Sequence, residues 1–231
     1  MRYTSRLFST LLLAGLGLLS MAATAAEPQK LFDGKTLEGW KGNDAFWSVK
    51  DGAITGQTTA DNPTKGNTFL IWQGGEIGDF DLKLKFKIVG GNSGIQYRST
   101  DHGNHVVGGY QADIEAGEKY IGILYEERGR GILAERTQKV EIASDGKKTV
   151  TGTTADNKEI LASIKKEDWN EMEVSAKGTH LVQKINGFVT VDVTDGQVGK
   201  AKESGILALQ LHAGPPMTIQ FKDIVLTKAS K

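Results

Sequence analysis

Apolar and polar residues alternate along several segments after residue 26, which is the pattern of a β-strand with one buried face. Residues 80–88 carry Phe, Leu or Ile at every second position and Asp or Lys between them, and residues 189–194 alternate Val with Thr or Asp. A further strand is predicted over residues 219–226. Because helical periodicity is weak throughout this part of the chain, the pattern predicts an all-β protein.

Short turn sequences separate the predicted strands. Asp51-Gly52 joins residues 47–49 to 53–55, and Asn186-Gly187 joins residues 180–185 to 188–193. Both dipeptides favour the positive φ angles that two-residue hairpin turns require. With 29 glycines and 4 prolines, the chain is expected to form ten to thirteen strands in an antiparallel, two-sheet sandwich of the jelly-roll type. A sheet of that size curves, and its concave face is where a binding or catalytic site is expected.

The first 26 residues have the composition of a secretory signal. Arg2 and Arg6 precede an apolar run over residues 7–19, and an Ala-rich stretch follows as far as Ala26. The run is short for a bilayer span, which needs about 20 apolar residues, and no Cys follows it that a lipid could modify. We therefore expect a cleaved signal peptide over 1–26 and one domain over 27–231, in a periplasmic or secreted protein without a stable membrane anchor.

Charge and cysteine content narrow the possible partners. Without Arg2 and Arg6 the chain carries 26 Lys and Arg against 28 Asp and Glu, so nothing attracts it to nucleic acid or to an anionic membrane. The sequence contains no Cys. The fold therefore depends on its hydrophobic core, which about 200 residues can supply, and zinc sites built on Cys are excluded.

Three predicted strands, over residues 94–98, 110–115 and 205–212, carry apolar side chains at alternate positions and hydrogen-bonding side chains between them. An ordinary solvated face of an antiparallel sheet would explain any one of these strands. If the three faces lie together, however, they form a single polar patch. Its members are Gln96, Arg98, Gln111, Asp113, Glu115, Gln210 and His212.

Such a patch could perform acid–base chemistry. Asp113 and Glu115 are two residues apart on one face, which places them about 7 Å apart. A nearby cation such as Arg98 would keep one carboxylate ionised, and the like charge of one carboxylate would raise the pKa of the other. The candidate catalytic residues are therefore Asp113, Glu115, His212 and Arg98, although a lone His is more often structural.

Residues 120–136 have no clean period and concentrate charge around two glycines. Such a segment is either a solvated loop or a wall of the site. Trp169 could stack on a sugar ring, or it could anchor the core, as large aromatic residues do more often. The candidate substrate-binding residues are Gln96, Gln111, Glu126, Arg130, Trp169 and Gln210.

A series of short motifs then follows in a fixed order. Residues 31–40 read LFDGKTLEGW, and residues 47–54 form the first predicted hairpin. Later motifs are NSGIQYR at 92–98, GYQADI at 109–114, DWNE at 168–171, ING at 185–187 and GILALQLH at 205–212. This ordered series resembles the 3-keto-disaccharide hydrolase domain family, over residues 30–228.

The resemblance implies a concanavalin A-like lectin or glucanase type of jelly roll that acts on glycosides oxidised to a ketone at carbon 3. The ketone acidifies the proton on carbon 2, its removal lets the glycosidic oxygen on carbon 1 leave, and water then adds to give net hydrolysis. By position, Arg98, Asp113, Gln210 and His212 fall on family motif residues. The chain departs from the family where it reads QADI at 111–114 instead of Glu-x-Gln-Ile. The catalytic roles that these motif positions have in typical members can therefore fall on different residues in this chain.

Two other functions are weighed against this one. A retaining β-glucanase of this fold needs a Glu-x-Asp-x-Glu run, and Gln111 cannot replace its first Glu as nucleophile or acid. A non-catalytic sugar-binding module is the stronger alternative, because domains of one fold often differ in function. Such a module would stack aromatic side chains on pyranose rings, and its candidates are Trp40, Trp47, Trp72 and Trp169.

The cofactor stays unknown from the sequence. A cation or a divalent metal ion would stabilise the enolate formed next to the ketone. The four histidines, at positions 102, 105, 180 and 212, show no ligand spacing. The predicted partner is an oligosaccharide or glycoside substrate.

Overall fold

The computed structural model describes residues 27–229, and the predicted signal peptide over residues 1–26 lies outside this range. The described part of the chain contains seventeen strands and one helix. Their bounds are β1 Gln29–Lys30, β2 Trp40–Lys41, β3 Trp47–Lys50, β4 Ala53–Thr58, β5 Thr68–Trp72, β6 Phe80–Val89, β7 Asn92–Asp101, β8 Val107–Glu115, β9 Leu124–Glu127, β10 Gly131–Ala134, β11 Gln138–Ile142, β12 Lys148–Thr153, α1 Asn157–Ser163, β13 Asn170–Lys177, β14 His180–Ile185, β15 Phe188–Asp195, β16 Ile206–Leu211 and β17 Met217–Lys228.

The strands form two sheets. The larger has ten strands in the order β12-β11-β15-β14-β13-β6-β17-β4-β3, with β1 beside β17, and the smaller has seven in the order β10-β9-β8-β7-β16-β5-β2. Neighbouring strands are antiparallel except β11 and β15. The predicted all-β, two-sheet sandwich is confirmed. The predicted number of strands is too low, because two-residue strands such as β1 and β2 are too short to show alternation.

The core lies between the sheets and follows the alternation in the sequence. The even-numbered residues of β6 are buried, whereas its Asp residue and its three Lys residues are exposed or half-buried. In the smaller sheet, Leu207, Leu209 and Leu211 of β16 are fully buried against this core. Both predicted hairpin turns are confirmed, because Asp51-Gly52 and Asn186-Gly187 have positive φ angles and their flanking strands pair.

Helix α1 is short and begins at a side-chain cap. Asp156 Oδ1 accepts hydrogen bonds from the backbone N–H groups of Lys158 and Glu159, which would otherwise lack partners. Ile160 is its buried residue. No helix between residues 27 and 229 is long and apolar enough to cross a membrane.

Candidate functional site

A cavity of about 700 Å³ lies on the face of the smaller sheet that points away from the core. Five of the predicted site residues line it, because β8 and β16 present alternate side chains to this face. The five are Gln111, Asp113, Glu115, Gln210 and His212. The two strands are joined through β7, which pairs with both of them.

Three buried glutamines form the floor beside this cavity. The side-chain amide of Gln96 donates to Oε1 of Gln111 at 2.6 Å, and that of Gln210 donates to the same oxygen at 2.9 Å. With both hydrogen bonds on its oxygen, Gln111 directs its own amide toward Oδ2 of Asp113, at 3.0 Å. Each of the three is at most 1% exposed, so this chain of amides is fixed by its own hydrogen bonds.

Gly94 makes room for this arrangement. It lies on β7 between Gln210 of β16 and Asp113 of β8. A Cβ atom at this position would stand 2.5 Å from Cδ of Gln111. The absence of a side chain therefore lets Gln111 cross β7 and reach Gln210.

Asp113 is the most perturbed acid of the cavity. Its side chain is almost completely buried, and Oδ1 accepts a 2.6 Å hydrogen bond from the amide of Asn92. Burial raises the pKa of Asp113 to about 7, although the hydrogen bonds from Asn92 and Gln111 lower it. The charges of Glu115 and Glu127 raise it further. A carboxyl group with this pKa exchanges its proton near neutral pH, as a general acid or base must.

His212 follows the end of β16 and is half-buried. Its Nδ1 lies 2.5 Å from the backbone oxygen of Ala213. Because a carbonyl oxygen can only accept a hydrogen bond, Nδ1 carries the proton in the neutral ring, and Nε2 keeps its lone pair. The neutral ring therefore keeps one nitrogen that can accept a proton.

The segment 120–136 is a wall of the site and not a solvated excursion. It contains β9 and β10, and β9 extends the smaller sheet beside β8. Tyr125 and Ile132 from these strands line the cavity. Burial and the charges of Glu127 and Asp113 raise the pKa of Tyr125, so its hydroxyl group stays a hydrogen-bond donor. Among the described residues that line the cavity, none is Lys or Arg.

Arg98 does not join the polar patch, and that part of the prediction is wrong. A bulge interrupts the pairing of β7 and β8 after Tyr97, and Arg98 has a φ angle of 46°. The bulge breaks the alternation, so Arg98 does not follow Gln96 onto the cavity face. Its guanidinium group donates to the carbonyl oxygens of Gly78, Gly178 and Lys202 and pairs with Asp79 at 2.9 Å.

Two predicted substrate-binding residues pair with each other outside the cavity. Glu126 faces the opposite side of β9 from Tyr125, and its carboxylate accepts a 2.6 Å hydrogen bond from Nε of Arg130. Arg130 also pairs with buried Asp195 at 2.6 Å. Both residues are therefore engaged in an ion-pair network at one end of the sandwich.

Trp169 lies on the larger sheet, apart from the cavity. The ammonium groups of Lys222 and Lys87 stand 4.0 and 5.2 Å from the centre of its ring. Trp40, Trp47 and Trp72 are at most 8% exposed and belong to the core. No Trp in the described range is therefore presented to a sugar in the cavity.

The described residues contain no group of three or more His, Asp or Glu side chains that could hold a metal ion. A pre-built divalent metal site of this kind is thus not formed by the cavity side chains. Hydrogen-bond donors on this face come instead from neutral amides and Tyr hydroxyl groups.

Sequence reasoning missed several cavity residues. Asn92 belongs to the NSGIQYR motif and lines the cavity. Its position two residues before Gly94 is the signal that could have assigned it to the polar face of β7. Glu127 and Tyr125 lie in the segment without a clean period, so alternation could not assign them a face. Asn67 lines the cavity from the loop before β5 and donates to Glu127 at 3.2 Å; no sequence pattern indicated it.

The family comparison agrees with the motifs. Residues 27–227 match the family model described as a 3-keto-alpha-glucoside-1,2-lyase-like domain. No curated protein matches the chain.

Solved structures share the fold. A protein from Parabacteroides distasonis ATCC 8503, described as a candidate glycosyl hydrolase, is 20% identical with a TM-score of 0.57, and the match covers 87% of this chain and 98% of that one. The carbohydrate-binding module CBM66 from Bacillus subtilis is 13% identical with a TM-score of 0.55, and the match covers 82% of this chain and 96% of the module. A Bacillus subtilis protein with a galectin-like fold is 9% identical with a TM-score of 0.54, over 84% and 91%. At these identities the matches establish the sandwich fold alone.

Proposed function

Because the chain belongs to the family of 3-keto-alpha-glucoside-1,2-lyase-like domains, we propose that it cleaves 3-keto-glycosides by removing the proton on carbon 2. One observation carries the proposal: Asp113, with a pKa of about 7, and His212, with a free Nε2, line the same cavity. The cavity thus holds an acid whose pKa suits proton transfer near neutral pH, together with an imidazole nitrogen that can accept a proton.

In the proposed reaction, Nε2 of His212 takes the proton from carbon 2. The electrons left on carbon 2 are shared with the ketone oxygen, and they then expel the glycosidic oxygen from carbon 1. Protonated Asp113 gives its proton to that leaving oxygen. A raised pKa suits Asp113 to this role, because a carboxyl group must still hold its proton at working pH to act as an acid.

Hydration restores the enzyme. Water adds to carbon 1 while the Asp113 carboxylate takes its proton, and His212 returns a proton to carbon 2. Both groups regain their starting states, and the net reaction is hydrolysis. Negative charge on the ketone oxygen would be stabilised by hydrogen bonds from groups such as Tyr125, whose pKa is raised.

The test is the release of sugar from a 3-keto-disaccharide, with the same disaccharide in its unoxidised form as the comparison. We expect release only from the keto form, and a loss of at least 100-fold in Asp113→Asn and in His212→Gln, the usual size of an acid–base contribution. His180→Gln is the matched control, since His180 pairs with Asp192 on the larger sheet. Equal cleavage of both disaccharides would contradict the proposal.

A non-catalytic carbohydrate-binding role is the second candidate. The observation in its favour is the shared fold with CBM66, together with a cavity without Lys or Arg side chains among the described residues. A binding module would bind an unoxidised oligosaccharide and would release no sugar from the keto form. The same assay therefore separates the two functions.

We also propose that the protein acts in the periplasm or outside the cell. The charged, apolar and Ala-rich parts of residues 1–26 support export. N-terminal sequencing of the exported protein should then begin at Ala26 or Glu27. Protein that is found only in the cytoplasm, with Met1 intact, would contradict this.

A further inference from the structure

We propose that a basic hollow beside the cavity binds an anionic substituent of the substrate, a carboxylate, sulfate or phosphate group. The hollow has a volume of about 370 Å³, and His102, Arg128, Lys200 and Lys202 line it around Gly108. Arg98, Arg130 and two carboxylates, those of Glu126 and Glu127, line it as well, so basic groups outnumber acidic ones. The inference rests on the proposed function for the reacting sugar and adds the class of glycoside, an acidic one.

Three separate loops bring the basic side chains together where strands of the smaller sheet end. His102 comes from the turn between β7 and β8, Arg128 from the turn between β9 and β10, and both lysines from the segment between β15 and β16. A Cβ atom on Gly108 would stand 2.8 Å from Nε2 of His102 and 3.2 Å from Cβ of Arg128. These two residues therefore lie together over a glycine floor, where backbone is open to close approach.

Five permanent cations line the hollow, and two of them, Arg98 and Arg130, are paired with carboxylates, whereas the other three have no partner of opposite charge among the described residues. Within residues 27–229, Arg128, Lys200 and Lys202 form no ion pair. All three are exposed, so their charge is available to a ligand. Grouped like charges repel one another, and an anion bound between them would relieve this repulsion.

Arg98, which is buried, and Arg130, which is half-buried, hold the loops in place. Arg98 donates to the carbonyl oxygen of Lys202, whose own backbone N–H donates to the hydroxyl group of Tyr110. Arg130 donates to Gln197 at 2.8 Å, in the same segment between β15 and β16. The positions of the lysine backbone are thus set before a ligand arrives, which lowers the entropic cost of binding.

The backbone at Arg128 is also unusual. Its φ angle is 57°, a left-handed conformation that Gly, Asn or Asp adopts more readily than Arg. Its neighbour Gly129 could take such a conformation without strain. An Arg at the strained position is a cost to folding, and such strain is found at ligand sites.

The hollow is placed to serve the same substrate as the cavity. Glu127 lines both of them. Gly109, Gln111 and Asp113 share one face of β8, so the hollow begins about 14 Å along the strand from the proposed acid. An acidic group on a more distant part of a glycoside would reach the hollow while its 3-keto sugar occupies the cavity.

The experiment is an NMR titration of the ¹⁵N-labelled protein with glucuronate, compared with glucose at the same concentration and ionic strength. We expect glucuronate to shift the backbone amide signals of Gly108, Gly109 and Gly129, and glucose to leave them unchanged. Arg128→Asn should weaken glucuronate binding by roughly 5-fold, about one exposed charge contact, and the double variant Lys200→Gln/Lys202→Gln should weaken it by at least as much. The charge-matched control, Lys147→Gln/Lys158→Gln, should bind as the unmodified protein does.

Three results would overturn the proposal: no shift with glucuronate, equal shifts with glucose, or undiminished binding in both hollow variants. Arg128→Asn should keep or raise the melting temperature, because Asn accepts the left-handed conformation. A loss of binding in this variant therefore cannot come from unfolding. The titration uses no keto sugar, so it can fail or succeed independently of the cleavage assay.

Discussion

The side-chain amide of Asn92 on β7 donates a 2.6 Å hydrogen bond to Oδ1 of Asp113 on β8. This bond favours the ionised carboxylate, whereas burial and the charge of Glu115 favour the protonated form. The pKa of about 7 is the balance of these opposing effects. Neighbours on either side of Asp113 should therefore move its pKa in opposite directions.

Asn92→Ala should raise the pKa of Asp113 above 7, and Glu115→Gln should lower it, because the first removes a hydrogen bond to the carboxylate and the second removes a repelling charge. If Asp113 is the acid, the pH at which kcat falls on the alkaline side of the pH profile should be higher in Asn92→Ala and lower in Glu115→Gln. ¹³C NMR titration of the Asp113 carboxyl group checks the pKa directly. A shift of the alkaline limb in the same direction in both variants would contradict this electrostatic account.

Asp113 should also make the stability of the protein depend on pH. Its pKa is about 3.9 in the unfolded chain and about 7 in the folded one, so the folded state binds the extra proton between these values. The free energy of unfolding should therefore fall as pH rises through this window, by about 1.4 kcal/mol per unit. Asp113→Asn lacks this effect. From pH 5 to pH 7, its free energy of unfolding should therefore rise by about 2–3 kcal/mol relative to that of the unmodified protein.

Urea unfolding at the two pH values measures this difference. Asp44→Asn, at an exposed position, serves as the control and should follow the unmodified protein at both. A constant difference between Asp113→Asn and the unmodified protein would show that the carboxyl group is not perturbed in the folded state.

Gly94→Ala should disrupt the chain of glutamines. The new methyl group would collide with Gln111, which must then leave Gln210 or Asp113. We expect at least a 10-fold loss of kcat/KM, because a small displacement at the reacting groups is costly. Gly66→Ala is the control, since nothing lies within 4 Å of its added Cβ atom and its φ angle is not positive. Unchanged kinetics in Gly94→Ala would mean that the position of Gln111 is unimportant.

Arg98→Met should destabilise the protein by roughly 1–3 kcal/mol, because it removes three hydrogen bonds to carbonyl oxygens and the ion pair with Asp79, whose carboxylate is partly open to solvent. The melting temperature and urea midpoint measure the loss. The folded fraction should keep its kcat, since Arg98 does not line the cavity. A stable variant without activity would instead indicate a catalytic Arg98.

Alternation predicted the parts of the site that lie on regular strands. Gln111, Asp113 and Gln210 follow the period of two in β8 and β16, so their shared face could be read from the sequence, and His212 continues that of β16. The pairing of both strands with β7 could not be predicted from the sequence, because strand register depends on contacts between residues that are distant in the chain.

Local irregularity limited the rest. One bulge at Arg98 breaks the alternation of β7, and no residue type in the segment marks it. In residues 120–136, two four-residue strands joined by a turn are too short to show a period. The sequence therefore predicts Glu126 and Arg130 as substrate-binding residues, although they pair with each other beside Asp195.

The central claim is that the proton on carbon 2 is removed during cleavage. Reaction of a 3-keto-disaccharide in D₂O, followed by mass spectrometry at early times, tests it most directly, with a non-enzymatic sample of the free 3-keto sugar as the control for spontaneous exchange. We predict one deuterium at carbon 2 of the released 3-keto sugar, beyond that control. Sugar that is released with its original hydrogen at carbon 2, and whose release is not slowed by deuterium at carbon 2 of the substrate, would show direct hydrolysis and contradict the claim.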